Sequence, residues 1–214
     1  MSRGVTASCR TVGDAMTETT MLRVLVAEDN ALERSTLVDL LGVLGHLVVA
    51  EVSTGPEAVA QARQLAPDAV LLDQHLPGAS GAEAAAAIAR ELPGTAVVLI
   101  TGDLSLQLSP AEMEESAAVA LLAKPAPPVT LDATLRMAAA RSRALAEARR
   151  EADAARQALE ARKLIERAKG ILMRRTGTSE QEAYRIMQRS SQDRSVPMVD
   201  IARAVLDSEP GAKA

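Results

Sequence analysis

Three carboxylates, a hydroxyl and an ammonium each follow a short apolar run in this chain. Glu28 and Asp29 come after residues 22–27 (LRVLVA), Asp73 after 68–72, Thr101 after 95–100, and Lys124 after 118–123. Runs of that length and composition read as buried parallel strands, and the groups at their ends fall at one edge of the sheet. Three carboxylates brought into one crevice repel one another unless a hard cation sits among them. Mg2+ suits such a set, because it takes a few carboxylates and keeps positions open for phosphate oxygens. A lysine and a hydroxyl at the same rim are then placed to hold the phosphate. The chemistry that follows is phosphoryl transfer to a carboxylate nucleophile.

The elements that must position these groups alternate. Between the first two strands, residues 31–44 carry Leu37, Leu40, Leu41 and Leu44 at helical spacing, and 47–52 reads as the second strand. Residues 55–65 form a helix with Pro56 in its first turn, where a missing N–H costs nothing, and 81–92 form an Ala-rich helix. The alternation predicts an α/β fold, a doubly wound five-stranded parallel sheet, whose ligand site lies beyond the carboxyl ends of the strands. Residues 102–109 (GDLSLQLS) read as an extended loop, after which Ser109, Pro110 and Glu112 open a short capped helix.

Downstream, residues 129–175 contain no Pro and one Gly, Gly170, among strong helix formers. An unbroken helix there would be about 70 Å long, too long for one compact domain to bury, so it is expected to join two bodies. Ala138, Leu145, Ala152 and Leu159 recur every seven residues, with Ala148 and Ala155 between them. This weak heptad stripe suits either pairing of two protomers or packing on its own chain. The apolar face then shifts to Leu164, Ile165, Ala168, Ile171 and Leu172, and Gly177 ends the helix. Thr178 with Gln181, or Ser179 with Glu182, caps a second helix that buries Ala183, Ile186, Met187 and Ser190. Residues 192–196 read as a loop, and Pro197 opens a third helix with Ile201, Ala202, Val205 and Leu206 inward. A small all-α three-helix bundle therefore ends near residue 208.

Charge divides along the same line. Residues 21–130 carry 14 acidic and 5 basic groups, a balance of −9, whereas residues 131–214 carry 12 and 17, a balance of +5. That asymmetry points to a polyanionic partner for the C-terminal half, against the plain reading of arginines on a solvated helix. The one cysteine, Cys9, rules out an internal disulfide framework and fits a reducing compartment. Residues 1–20 read as a disordered leader without the apolar core of a signal peptide, and 209–214 as a tail. No run has the ~18 apolar residues of a membrane span, so a cytoplasmic protein with no membrane partner is expected. Neither a nucleotide loop nor a metal-activated base is present in the sequence, which argues against a kinase or phosphatase.

With these residues in place, the stretch from about 22 to 130 resembles the flavodoxin-like receiver domain of two-component response regulators. The resemblance rests on Glu28–Asp29, on Asp73 with Pro77 and Gly81 (DQHLPGASG), on Thr101, and on Lys124–Pro125. It implies that Asp73 accepts a phosphoryl group from a sensor histidine kinase, the chain itself not being an enzyme. It also implies that Asp29 and Asp73 bind Mg2+ directly, Glu28 through water, and His75 through its backbone carbonyl. Thr101 and Lys124 would contact the phosphoryl group, with Lys124–Pro125 in the cis form. Leu121 stands where the family usually has Tyr or Phe.

The words RKLIERAKGILM, EAYRIMQRSSQD and VDIARAVL, within about 152–208, resemble the ANTAR domain of transcription antitermination regulators. That resemblance implies binding to paired hairpins of a structured mRNA leader, with RNA polymerase reached only indirectly. Residues 21–130 would then be the receiver, 131–160 a helical linker and 152–208 the RNA-binding domain. Hairpin loops offer splayed bases and phosphates. The candidate contacts are Lys169, Gly170, Arg174, Arg175, Tyr184, Arg185, Arg189 and Arg194. For several of these a structural role competes: Tyr184 is expected to cap the small core, and Lys169 and Gly170 to serve helix packing. Two alternatives remain at this point. One is a DNA-binding regulator, although the third helix offers only Met198, Val199 and Asp200 in its first turn. The other is a protein-interaction regulator acting through the heptad stripe, with a homodimer as its simplest form.

Overall fold

The structure, a computed structural model, describes residues 21–102 and 118–208. The predicted leader, the tail, Cys9, and the loop and capped helix read at Ser109, Pro110 and Glu112 lie outside the described residues. The chain divides into two compact units, one through Leu145 and one from Ala146.

In the first unit five parallel strands lie in the order β2-β1-β3-β4-β5. They are β1 (Arg23–Ala27), β2 (Leu47–Val52), β3 (Ala69–Asp73), β4 (Ala96–Thr101) and β5 (Ala120–Ala123). Every residue of β3 and β4 is buried, as expected for central strands covered on both faces. Alternation sorts the side chains. Val24, Val26, Leu71, Val98 and Ile100 face α1 (Ala31–Val43) and the start of α4 (Pro128–Thr176), where Leu41, Leu131, Leu135, Ala138 and Ala139 are buried. Leu25, Ala27, Val70, Leu72, Val97 and Leu99 face α2 (Gly55–Leu65) and α3 (Gly81–Glu91). Those two helices bury mainly alanines (Ala58, Ala62, Ala84, Ala85), which lets them pack closely on the sheet. Leu121 packs against the same cluster.

The sequence offered no role for His46, and the structure supplies one. Its side chain is fully buried; Nδ1 accepts the Leu22 N–H at 3.4 Å, so Nε2 carries the proton and donates to Asp132 on α4 at 2.9 Å. Arg136 donates to the same carboxylate oxygen at 2.7 Å. Burial holds the His46 pKa below its ordinary value, against the pull of Asp132, and Arg136 lowers it further. A depressed folded pKa means that below about pH 6.5 the unfolded chain takes up a proton that the folded one refuses. Thermal stability is therefore expected to be full above that pH and to fall as pH drops through the depressed value. The melting temperature of His46→Gln should show a flatter acid slope, and an unchanged slope would exclude the histidine as its source.

In the second unit, the C-terminal part of α4 packs with α5 (Glu180–Arg194) and α6 (Met198–Asp207). Ala168, Met187, Ile201 and Ala202 are buried, with Leu164, Ile165, Leu172, Val196, Met198 and Val205 around them. Gly177 adopts φ 66° and donates its N–H to the Met173 carbonyl at 3.0 Å, so the left-handed residue terminates α4. Ser179 and Glu182, rather than Thr178 and Gln181, form the capping box of α5. Three expectations need correction. The α5 helix runs on to Arg194, because Ser195 takes a left-handed cap at φ 53° and Ser191 Oγ donates to the Val196 carbonyl, shrinking the loop read at 192–196. Pro197 caps α6 rather than opening it. Ile186 is 42% exposed, since Ala183 and Met187 alone of the expected α5 face are fully buried.

The heptad residues also separate. Ala138 belongs to the core of the first unit, whereas Leu145 and Leu159 are about half exposed and residues 147–160 are exposed throughout. No helix among the described residues is long and apolar enough to cross a membrane.

Candidate functional site

Strand register assembles the acidic site. Ala27 lies opposite Leu72, Asp73 opposite Ile100, and Thr101 opposite Ala123. The residues that follow β1 and β5 therefore arrive beside Asp73 and Thr101. Carboxylate oxygens of Glu28, Asp29 and Asp73 all lie within 4.8 Å of one another. Glu28 and Asp73 are buried and Asp29 is exposed. The Lys124 ammonium reaches Glu28 at 2.5 Å, Asp73 at 2.7 Å and Glu33 at 2.8 Å. Thr101 is buried, and its carbonyl accepts the Lys124 backbone N–H at 2.7 Å. The Lys124–Pro125 peptide is cis. An open cavity of about 740 Å³ is lined by Glu28, Asp29, Glu33, Asp73, His75 and Lys124 among others.

Local contacts fix each arm. The Arg34 guanidinium donates to the Glu28 carbonyl at 2.7 Å and so holds the acidic turn after β1. Asp73 Oδ1 accepts the His75 N–H at 3.1 Å, which orients the carboxylate from behind. Gly81 opens α3 directly against this loop. A Cβ there would overlap the Asp73 carbonyl oxygen and come within 2.9 Å of Gln74 Cα, so only glycine lets the helix start this close to the strand end. Its own N–H donates to the Gln74 carbonyl at 3.0 Å.

The electrostatics favour a hard cation. Burial pushes the Glu28 pKa up and the neighbouring Asp73 charge adds to that, while Lys124 pulls it down. Burial disfavours the Lys124 ammonium too, but its hydrogen bonds to Asp73, Glu28 and Glu33 outweigh the cost and hold its pKa above the ordinary value. Four carboxylates against one ammonium, with the Arg34 guanidinium at the Glu28 carbonyl, leave the crevice with an excess of negative charge. A donor set made only of oxygens with that excess fits Mg2+ better than a softer metal.

In the second unit the cationic candidates sort by whether the protein already uses them. Lys169 is 7% exposed, and its ammonium lies 2.8 Å from Glu166 and 2.7 Å from Glu180. Arg175 donates to the Ser208 hydroxyl at 2.8 Å and carbonyl at 2.6 Å. Arg174, Arg185, Arg189 and Arg194 are exposed. Tyr184 is 43% exposed, so the expectation that it caps the core is corrected: the α5 turn directs Ala183 and Met187 inward and leaves Tyr184 outside. Packing does not demand Gly170 either, because a Cβ there would have Arg174 Nη1, at 3.7 Å, as its nearest neighbour. Of the competing structural roles read from the sequence, the one for Lys169 matches its buried ion pairs, whereas those for Tyr184 and Gly170 do not hold. The clue to Lys169 was Glu166, three residues before it on the same helix face.

Comparisons with known proteins agree with this division of the chain. The model of the response regulator receiver domain matches residues 24–136, and that of the ANTAR domain matches residues 153–206. The transcriptional regulatory protein PdtaR of Mycobacterium tuberculosis is 35% identical over 186 residues, which cover 87% of this chain and 90% of PdtaR. Among solved structures, the receiver domain of the sensor histidine kinase PA1611 of Pseudomonas aeruginosa PAO1 holds a magnesium ion in its active-site cleft. It is 25% identical, with a TM-score of 0.50 over 56% of this chain and 99% of that one. The signal receiver domain of a modulated diguanylate cyclase from Desulfovibrio desulfuricans G20 is 31% identical, with a TM-score of 0.51 over 57% and 97% of the two chains.

Proposed function

Because this chain belongs to the response regulators, with a receiver domain followed by an ANTAR domain, we propose that it is a phosphorylation-controlled RNA-binding antiterminator. The observation that carries this reading is the meeting of Glu28, Asp29, Asp73 and Lys124 at one sheet edge, in a chain whose other unit matches an ANTAR model. Asp73 takes a phosphoryl group from the phosphohistidine of a sensor kinase. The Asp73 Oδ–P bond forms as the N–P bond breaks, and the imidazole leaves with the electron pair. Asp29 and Asp73, with Glu28 through water and the His75 carbonyl, would hold Mg2+, which offsets the charge gathered on the transferring group. Lys124 and Thr101 receive the phosphoryl oxygens.

The RNA surface centres on α5. Tyr184, Arg185 and Arg189 are exposed within two turns of it, with Arg194 at its end, and this set combines a ring for stacking with cations for phosphates. The Gly170 and Arg174 region of α4 extends it, whereas Lys169 and Arg175 act first as internal ties between helices. The DNA-binding alternative finds less support, since the first turn of α6 carries Met198, Val199 and Asp200, of which only the acidic Asp200 is exposed. The exposed stretch 147–160 of α4 supports a homodimer as part of the same reading.

The test is binding of a two-hairpin leader RNA before and after acetyl phosphate with Mg2+, repeated with Asp73→Asn. Wild-type affinity is expected to change at least about fivefold on treatment, the usual size of a coupling between two sites, while the variant stays unchanged. Equal affinity in all arms would remove the switch.

A further inference from the structure

The α1 helix starts, like α2, α3 and α5, with a hydrogen-bonding side chain three residues before a glutamate. In α2 that glutamate, Glu57, turns to the Ser53 N–H and hydroxyl. In α3 and α5 that glutamate, Glu83 or Glu182, turns back onto the backbone N–H of its own N-cap serine. At α1 the pair is Asn30 and Glu33, and the return bond is missing because Glu28 Oε1 already accepts the Asn30 N–H at 3.3 Å. Glu33 instead accepts from the Asn30 side-chain amide at 3.4 Å through one oxygen and from Lys124 at 2.8 Å through the other. With Glu28 and Asp73 this occupies all three N–H donors of the ammonium.

We propose that Glu33 is a positioning residue for Lys124, withholding one of its donors from the incoming phosphoryl group. The proposal rests on Asp73 being the acceptor. In the transfer from acetyl phosphate, an Asp73 Oδ–P bond forms, the donor P–O bond breaks and its electron pair leaves with acetate. Negative charge moves across the phosphoryl oxygens, and an ammonium donor aimed at them lowers the barrier. A donor tied to a carboxylate must first be released from a charge-assisted hydrogen bond. Glu33 lies outside the group of carboxylates gathered within 4.8 Å, so its effect runs through Lys124 and not through the metal position. Asn30 fixes the side chain that does this, which ties the restraint to the start of α1.

The experiment compares wild type, Glu33→Gln, Lys124→Gln and the double variant. Phosphorylated protein is followed by intact mass over minutes to hours in acetyl phosphate and Mg2+, a window that also reads slow variants. Glutamine keeps the shape of Glu33 and removes its charge, so the single variant is expected to be phosphorylated about fivefold faster. Its Mg2+ affinity by calorimetry should stay within about threefold of wild type, and on the Lys124→Gln background the same substitution should change nothing. A Glu33→Gln rate equal to or below wild type overturns the proposal. So does an equal gain on the Lys124→Gln background, which would assign the effect to charge at the cleft mouth acting on the donor. Absence of phosphorylation in wild type itself would instead overturn the acceptor reading on which this proposal stands.

Discussion

Asp73→Asn is expected to lower phosphoryl incorporation by on the order of 100-fold or more, to the detection limit of intact mass, because an amide oxygen is not a competent nucleophile for phosphorus. The same substitution should leave the fold in place. Asp73 closes a strand whose five residues are all buried, Gly81 packs on its backbone, and the His75 N–H donates to an Oδ1 that asparagine keeps. In metal-free buffer the variant should melt higher than wild type. Removing one of three carboxylates whose oxygens crowd within 4.8 Å relieves like-charge repulsion, while Lys124 keeps Glu28 and Glu33 as partners. Addition of Mg2+ should reverse the order, since ligand binding to the folded state stabilises wild type in proportion to its tighter affinity. A variant that still took up phosphate would place the acceptor elsewhere. A variant whose melting temperature rose with Mg2+ as much as wild type would remove Asp73 from the metal site.

The acidic edge was legible because each of its members ends an apolar run, and a parallel sheet brings such ends together whatever the loops do. Glu28, Asp29, Asp73, Thr101 and Lys124 needed only that rule. Glu33 did not stand out, because Asn30 and Glu33 have the spacing of an ordinary helix cap, and only the prior claim of Glu28 on the Asn30 N–H releases it toward Lys124. His46 and Asp132 are 86 residues apart, and no local pattern joins a turn histidine to an aspartate near the start of α4. In the second unit, periodicity found the buried stripe at Ala168, Ala183, Met187, Ile201 and Ala202. It misjudged the edges of that stripe, placing Ile186 inward and Tyr184 as a cap on the core, because so small a core buries only Ala183 and Met187 of α5. The same smallness leaves so much of α5 outside that its exposed side chains need a reason.

That reason is tested by Arg185→Glu with Arg189→Glu. The two arginines are four residues apart on one face of α5, are both exposed, and lie beside the exposed ring of Tyr184. Reversing both charges should weaken binding of the two-hairpin RNA by on the order of 100-fold at about 0.1 M salt. It should also reduce the slope of log affinity against log salt by about 2, one for each phosphate no longer neutralised. Neither residue belongs to the cluster of Ala168, Met187, Ile201 and Ala202, so the melting temperature is expected to hold. Lys169→Gln supplies the contrast. Its ammonium ties Glu166 on α4 to Glu180 at the start of α5, so its loss should lower the stability of the bundle and leave the salt slope nearly intact. If the double reversal instead left affinity and slope unchanged while Lys169→Gln altered both, the RNA would lie on α4 rather than α5, and the cations of the second helix would be a solvated face and nothing more.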